Sequence, residues 1–509
     1  MKKTIIIYLI LLNLTCFSQS NSFSKAISPY GNIHSASFVA TGIVKQGSNY
    51  LLTISGFDTA NIITNAQSLY FAKIDSNGNN FEIIKKYVQA DTNYYTGWGA
   101  FIKTHNEGFC NIGDITSVHD TSYNPIKKHF IMLFDSSMNN ILTKIISHDT
   151  IWEAINQVRE THDHGYIIVG QRLIGTDILA ILIIKTDSMG NQLWRKTLST
   201  GTNSNGWQIE ETPDHGFIIE GYNSSYTTGL GGPFLLKSDS IGDLVWIKYL
   251  GNSSQHDGGA AFAITKDSNY IVALGYSTYT YSGNSDWLGR INVIKYSPDG
   301  TQIWNKMFDT IRADNNINKI QILPNNDFMI MGTCISHDIN YFYSTLILKF
   351  STNGDSLWRR EYSYSNNYAD ENYLYDNVLN SDGSITACGY VTSFSLTPTQ
   401  QIWIMKTDSN GYAPGCEPTG INEIHNTKTE DIRVFPNPAI NQTTIAYSQL
   451  KEEGDIHIYN MLGQIVYEEK IAKGSSQTKL SIQHLKAGLY KVIVKEKGMI
   501  KGEVSLVKE

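Results

Sequence analysis

Apolar and polar residues alternate with a period of two along most of the chain, in short runs broken by Asn, Asp, Ser and Gly. That period puts successive side chains on opposite faces of a strand. The clearest runs end in glycine: Tyr50 to Gly56, Phe109 to Gly113, Tyr166 to Gly170, Phe217 to Gly221, Tyr270 to Gly275, Phe328 to Gly332 and Ser384 to Gly389. Their closing glycines are spaced by 57, 57, 51, 54, 57 and 57 residues. A second apolar run follows each one and leads into Asp-Ser-x-Gly or a variant, as at Lys73 to Gly78, Lys185 to Gly190, Lys237 to Gly242, Lys295 to Gly300, Lys349 to Gly354 and Lys406 to Gly411. Leu133-Phe-Asp-Ser136 is a degenerate copy. A further strand then carries tryptophan at Trp194, Trp246, Trp304 and Trp358. Asx with Gly between apolar strands is hairpin chemistry, because the Asx side chain bonds the backbone and Gly takes the positive φ.

Each unit therefore predicts four short strands, and seven such units predict an all-β, seven-bladed β-propeller. The last unit breaks off after Asp408-Ser-Asn-Gly411 without a fourth strand. Phe23 to Ile27 resembles the tryptophan strand Trp194 to Leu198, so residues 23–27 are expected to close the last blade. A ring closed in this way leaves no free sheet edge. The units resemble the propeller repeats of secreted bacterial proteins. The Asp-x-x-Gly-x-x-x-Trp stretch is similar to the Asp-box turns of sialidases and to the tryptophan-docking repeats of quinone enzymes. In both families it chiefly braces blades, so the resemblance implies architecture rather than chemistry.

The two ends carry different signals. Lys2 and Lys3 precede an apolar run from Ile5 to Leu14, with small or polar residues up to Gln19. This layout predicts a signal peptide over 1–18, read by the Sec translocon. The propeller is expected over 19–412 and a linker over 413–424. Past Pro418 tryptophan vanishes, and alternating strands over 425–509 predict a small Ig-like antiparallel β-sandwich. There Phe435-Pro436-Asn437-Pro438, the Tyr-Asn-Met-Leu stretch ending in Gly463, and the run through Gly488, Leu489 and Tyr490 resemble the type A sorting domain of Bacteroidota type IX secretion cargo. The resemblance implies passage through the type IX machinery, removal of the domain by a sortase-like peptidase, and release or attachment to surface lipopolysaccharide.

Composition narrows the function classes. The formal charge of −7 gives no basic field for nucleic acid, and 41% hydrophobic with 17% charged residues excludes a disordered chain. After the leader no stretch is long and apolar enough for a transmembrane segment. Four cysteines remain, widely spaced; Cys110 and Cys388 sit in apolar strands, and a Cys388–Cys416 bridge is one alternative. Long connections and inter-blade segments fall on one face of the disc, where recognition usually sits. The ligand-binding candidates there are Tyr94, Tyr95, Trp98, Trp207, His256, Asp257 and Trp287, and the expected ligand is a glycan or a protein. The alternative is a polysaccharide hydrolase or lyase, with Asp163, Asp257, Asp286 and Asp314 as loop acids. Cofactors are not expected. His162, His164, His215 and His256 are the histidines to weigh as metal ligands, but His164 and His215 repeat one turn position before Gly, so no metal site is predicted.

Overall fold

The computed structural model describes residues 22–29, 37–57, 66–89, 91–97, 99–119, 127–146, 151–175, 178–200, 203–224, 231–251, 257–276, 290–309, 316–335, 343–365, 367, 370–393, 397–413, 432–460, 465–496 and 499–509. The leader, Trp98, His256, Asp286, Trp287, Asp314, Cys416 and Gly463 lie outside these residues. The chain divides into two units, residues 1–420 and 421–509.

Among the described residues the first unit has seven antiparallel sheets, and consecutive sheets share a buried core, so it is a seven-bladed β-propeller. Blade 1 is Phe38–Gln46, Asn49–Phe57, Gln67–Asp75 and Glu82–Tyr87. Its innermost strand is the first, and the same order holds around the ring, with inner strands Glu153–Glu160, Asn203–Glu211, Ala260–Ile264, Asn316–Ile322 and Glu371–Leu379 in blades 3 to 7. Blade 2 departs from the four-strand unit. Its inner strand is broken into Thr92–Tyr95 and Phe101–Lys103, both paired with Phe109–Ser117. Phe23–Ile27 is the outer strand of blade 7, in register with Ile402 to Lys406. The core at that seam joins Phe23, Phe38 and Tyr70 to Cys388, Ile402 and Ile404.

The repeated residues have local causes. In the Asp-Ser-x-Gly turns the aspartate caps the backbone: Asp187 Oδ1 accepts from the amides of Met189 at 2.9 Å and Asn191 at 2.8 Å. The glycine takes a positive φ, as at Gly354 (77°). The tryptophan of the preceding blade lies against that glycine, so a methyl group on Gly354 would stand 2.7 Å from the Trp304 ring. In blades 3, 4, 6 and 7 the glycine that closes the second strand sits beside a β-bulge of the inner strand. Inner strands bulge at Thr41, Asn156, Trp207, Asn318 and Tyr375, each lacking a cross-strand partner. A bulge bends the strand and re-aims its side chain. It also presses a carbonyl onto the neighbouring strand, and a Cβ on Gly389 would meet the Tyr373 carbonyl oxygen at 1.9 Å.

The second unit packs a three-stranded sheet and a four-stranded sheet on a core that includes Ile445, Leu480, Ile456, Val492 and Leu506. Its motif residues hold the fold together. Asn437 Nδ2 donates to the Ser505 carbonyl at 2.7 Å, and its Oδ1 accepts from the Val507 amide at 2.8 Å, clamping the last strand. The peptide bonds before Pro436 and Pro438 are cis, and Phe435 is half exposed. Gly488 and Leu489 open the strand Gly488–Glu496, and buried Tyr490 donates its hydroxyl to the Lys486 carbonyl at 2.8 Å.

Cys110, Cys334 and Cys388 are buried, and among the described residues no disulfide joins them; the Cys388–Cys416 pairing lies outside the described residues. Cys388 sits in the apolar seam between blades 7 and 1, where it acts as a small hydrophobe.

Candidate functional site

The inner strands enclose a cavity of about 1390 Å³. Its lining reaches from Tyr373, Tyr390, Tyr222 and Asp257, on the long-loop side, to His162, Glu211 and His215 at the short hairpins of the opposite side.

Much of the polar lining is occupied in bracing the ring. In blades 3 and 7 the residue after the bulge reaches the next blade: Gln157 Oε1 accepts from the Ile209 amide at 2.8 Å, and Asp376 Oδ2 accepts from the Ile43 amide at 3.0 Å. Lys319 bonds Asp376 and donates to the Asn377 carbonyl at 2.8 Å. The bulged amides do the same, with Asn156 Nδ2 donating to the Gly206 carbonyl at 2.6 Å and Asn318 Nδ2 to the Leu374 carbonyl at 3.0 Å. Held by Lys319 and by the amides of Ile43 and Asn377, Asp376 is a structural member of the ring.

Two groups of lining residues remain to meet a ligand. On blade 7, Tyr373 and Tyr375 are half-buried and stack at 5.9 Å with 22° between the rings. Tyr390 stacks on Tyr373 at 5.2 Å, and Tyr343 packs on the other side at 5.1 Å. The Tyr390 hydroxyl donates to Glu371 at 3.0 Å. Burial pushes the hydroxyls of Tyr373 and Tyr390 far up and that of Tyr375 to about 12, so all three stay neutral donors at physiological pH. Across the channel, Glu220 is 2% exposed, and its Oε2 has no hydrogen-bond partner among the described residues. Burial raises its carboxyl well above the usual range. Tyr222 is raised by burial and then by the charge of Asp257.

The structure distributes the sequence candidates unevenly. Trp207 is a bulged inner-strand residue, 39% exposed, and it lines the cavity. Asp257 lines it too, although almost fully buried. Tyr95 is exposed in a strand of blade 2, with Lys127 Nζ 5.8 Å from its ring. Tyr94 requires a correction: it belongs to a strand, not to an inter-blade loop, and alternation turns it into the core between blades 1 and 2, edge-on to Phe130 at 6.2 Å. Among the loop acids, Asp163 is tied to Lys185 at 2.8 Å in a turn on the short-hairpin side. Burial opposes its ionisation, but the bonds from Lys185, Thr161 and the Gly165 amide outweigh that and lower its pKa.

Sequence reasoning missed Tyr373, Tyr375, Tyr390 and Glu220. The signal for Glu220 was an acid inside an apolar strand, Phe217-Ile-Ile-Glu-Gly221. The signal for the tyrosines was their alternation in Tyr373-Leu-Tyr375.

Residues 433–507 match the family model of the secretion system C-terminal sorting domain. The chain is type IX secretion cargo. Its destination is the cell surface or the extracellular space. No curated protein matches this exported propeller. Among solved structures it is similar to a protein of unknown function from Dyadobacter fermentans, at 9% identity over 75% of this chain and 97% of that one, with a TM-score of 0.42. An ulvan lyase representing a polysaccharide lyase family is similar at 6% identity, over 76% of this chain and 96% of that one, with a TM-score of 0.45. The NanB sialidase of Streptococcus pneumoniae is similar at 9% identity, over 59% of this chain and 66% of that one, with a TM-score of 0.41. At these values no residue role is carried over from them. Among the described residues no helix is long and apolar enough to cross a membrane.

Proposed function

We propose that this exported propeller binds a glycan at the long-loop end of its channel. The supporting observation is the blade 7 tyrosine stack: two half-buried rings with neutral hydroxyls beside a cavity that would admit an oligosaccharide. Aromatic faces cover the apolar face of a sugar ring at low entropy cost, and hydroxyls held by neighbours such as Glu371 supply directional bonds. Trp207 and Asp257 extend this surface around the channel. In this reading residues 1–18 are a cleaved signal peptide, and the sorting domain is removed by a sortase-like peptidase during release or attachment to lipopolysaccharide. A glycan array probed with the propeller and with Tyr373→Ala tests the binding. The expected result is retention of defined polysaccharides that the variant loses, and equal retention of the same glycans by both proteins would refute it.

A second reading, a polysaccharide hydrolase or lyase, is supported by Glu220. A buried carboxyl on a channel wall, its pKa raised by burial and its Oε2 without a hydrogen-bond partner among the described residues, is suited to donate a proton. Incubating the retained polysaccharides with the propeller and assaying new reducing ends or unsaturated products decides between the two. Product formed by the wild type and abolished in Glu220→Gln would make the protein an enzyme. Intact polymer recovered from the wild type would leave it a binder.

A further inference from the structure

The hairpins joining inner and second strands share one design. In blades 2, 3 and 4 they read Lys103-Thr-His-Asn-Glu-Gly108, Glu160-Thr-His-Asp-His-Gly165 and Glu211-Thr-Pro-Asp-His-Gly216. The Asx residue caps the turn, as Asp163 Oδ1 accepts from the Gly165 amide at 3.0 Å. The fifth residue is left-handed in each, with φ of 62° at Glu107, 60° at His164 and 60° at His215. Ser268 and Asn326 hold that position in blades 5 and 6 at 62° and 68°, so the turn itself has no need of histidine.

The histidines converge across blade junctions instead. The His105 amide donates to Glu160 Oε2 at 2.7 Å, and its Nδ1 is bonded to Glu160 Oε1. His164 Nδ1 lies 3.8 Å from the same oxygen, and the two rings stack at 3.6 Å. One junction further the arrangement is repeated. The His162 amide donates to Glu211 Oε2 at 2.7 Å, its Nδ1 is bonded to Oε1, and His215 Nδ1 is 3.3 Å from that oxygen. The corresponding trios at the next two junctions are Pro213, Ile264 and Ser268, then Lys266, Ile322 and Asn326, which offer no ligand set.

We propose that His105–Glu160–His164 and His162–Glu211–His215 are two transition-metal sites, each a three-ligand set for a Zn²⁺-class ion. The candidate ligand atoms in each set lie within 4.8 Å of one another. Bonds of about 2.0–2.1 Å in a tetrahedron need donors only about 3.3 Å apart, close to the separations found. The carboxylates are mostly buried and fixed by a backbone amide, while the rings are about half exposed. The rings can therefore turn their in-plane lone pairs towards a shared ion without moving the blades. Imidazole with carboxylate suits zinc, nickel and copper, and three protein ligands leave a fourth position open. The second site borders the channel through His162, Glu211 and His215, so its open position faces whatever enters from the short-hairpin side.

Titration of the metal-stripped full chain with Co²⁺, followed by visible d–d absorption, and with Zn²⁺ against a chromophoric chelator tests this. His164→Asn and His215→Asn are the variants of choice, because asparagine already occupies that turn position at Asn326. Two equivalents are expected for the wild type, one for each single variant and none for the double variant. Zn²⁺ should raise the Tm of the wild type but not of the double variant, whose unaltered Tm without metal confirms folding. Uptake that the substitutions leave unchanged, or no uptake at micromolar metal, overturns the proposal.

Discussion

Phe23 covers the α-carbon of Gly78 across the seam where the ring closes, and a methyl group on that glycine would stand 2.6 Å from the phenyl ring. Trp194, Trp246, Trp304 and Trp358 make the same contact with Gly242, Gly300, Gly354 and Gly411. Phe23 is thus the outer-strand aromatic of blade 7, separated in sequence from the blade it completes. It is 6% exposed. Phe23→Ala should cost about 3–5 kcal/mol, as expected for emptying an aromatic site in a core. The loss should open the seam before the other junctions. Urea unfolding measures the cost, and hydrogen exchange locates it. Uniform exchange around the ring, with an unchanged urea midpoint, would contradict the closure argument.

Two left-handed turn glycines, one in an Asp-Ser-x-Gly variant and one in the inner hairpin of blade 7, allow a paired comparison. At Gly354 a side chain meets both a positive φ of 77° and the Trp304 ring. At Gly383 φ is 81°, but the nearest atom to an added Cβ is Ser409 Cβ at 3.7 Å. Left-handed backbone alone costs about 1–2 kcal/mol for a residue with a Cβ, and forced overpacking adds about 1–3 kcal/mol. Gly354→Ala should therefore destabilise by about 2–5 kcal/mol and Gly383→Ala by about 1–2 kcal/mol. Equal urea midpoints for the two variants would show that the tryptophan contact does not matter.

These contacts explain which parts of the structure the sequence disclosed. Blade number followed from glycine spacing because two backbone constraints, the left-handed turn and the close approach opposite the bulge, recur in nearly every unit and exclude other residues. The channel was harder to read. Its lining comes from bulged residues such as Asn318 and Tyr375, and a bulge shifts the inward-facing side chain by one place, so strict alternation misassigns it. Tyr94 failed as a ligand candidate for the opposite reason, since its segment pairs as a regular strand with Phe109–Ser117. The paired histidines were hidden by the repeat itself. His105 and Glu160 are 55 residues apart, and His162 and Glu211 are 49, so the partners meet only once neighbouring blades are packed.

The tyrosine stack predicts a division between two variants. Tyr390→Phe keeps the ring on Tyr373 and removes only the hydroxyl that donates to Glu371. Tyr373→Ala removes the central ring of the stack. Losing one hydroxyl hydrogen bond costs about 1 kcal/mol, roughly a fivefold change in affinity. Losing a ring face of about 1–2 kcal/mol together with its support of Tyr375 should weaken glycan binding by tenfold or more. Isothermal titration with a glycan retained on the array measures both. Equal losses would place the ligand on the hydroxyl edge instead of the ring faces.

Glu220 predicts a pH dependence whose sign follows from its burial. Below the ordinary carboxylate range, near 4.3, the acid is protonated in both folded and unfolded chains and carries no penalty. As pH rises past that value the unfolded chain gives up its proton first, because burial holds the folded pKa well above. The unfolded state then binds fewer protons, so stability falls with pH, by at most about 1.4 kcal/mol per unit, until the folded pKa is passed. Glu220→Gln keeps the shape and removes the proton exchange. The difference in unfolding free energy between Glu220→Gln and wild type should therefore grow in favour of the variant from about pH 4.5 upward, while every other titrating group cancels. Urea midpoints across pH 4 to 8 supply that difference. Parallel curves would mean that Glu220 ionises in the folded protein as readily as in the unfolded one, and it would then lose its role as the channel's proton donor.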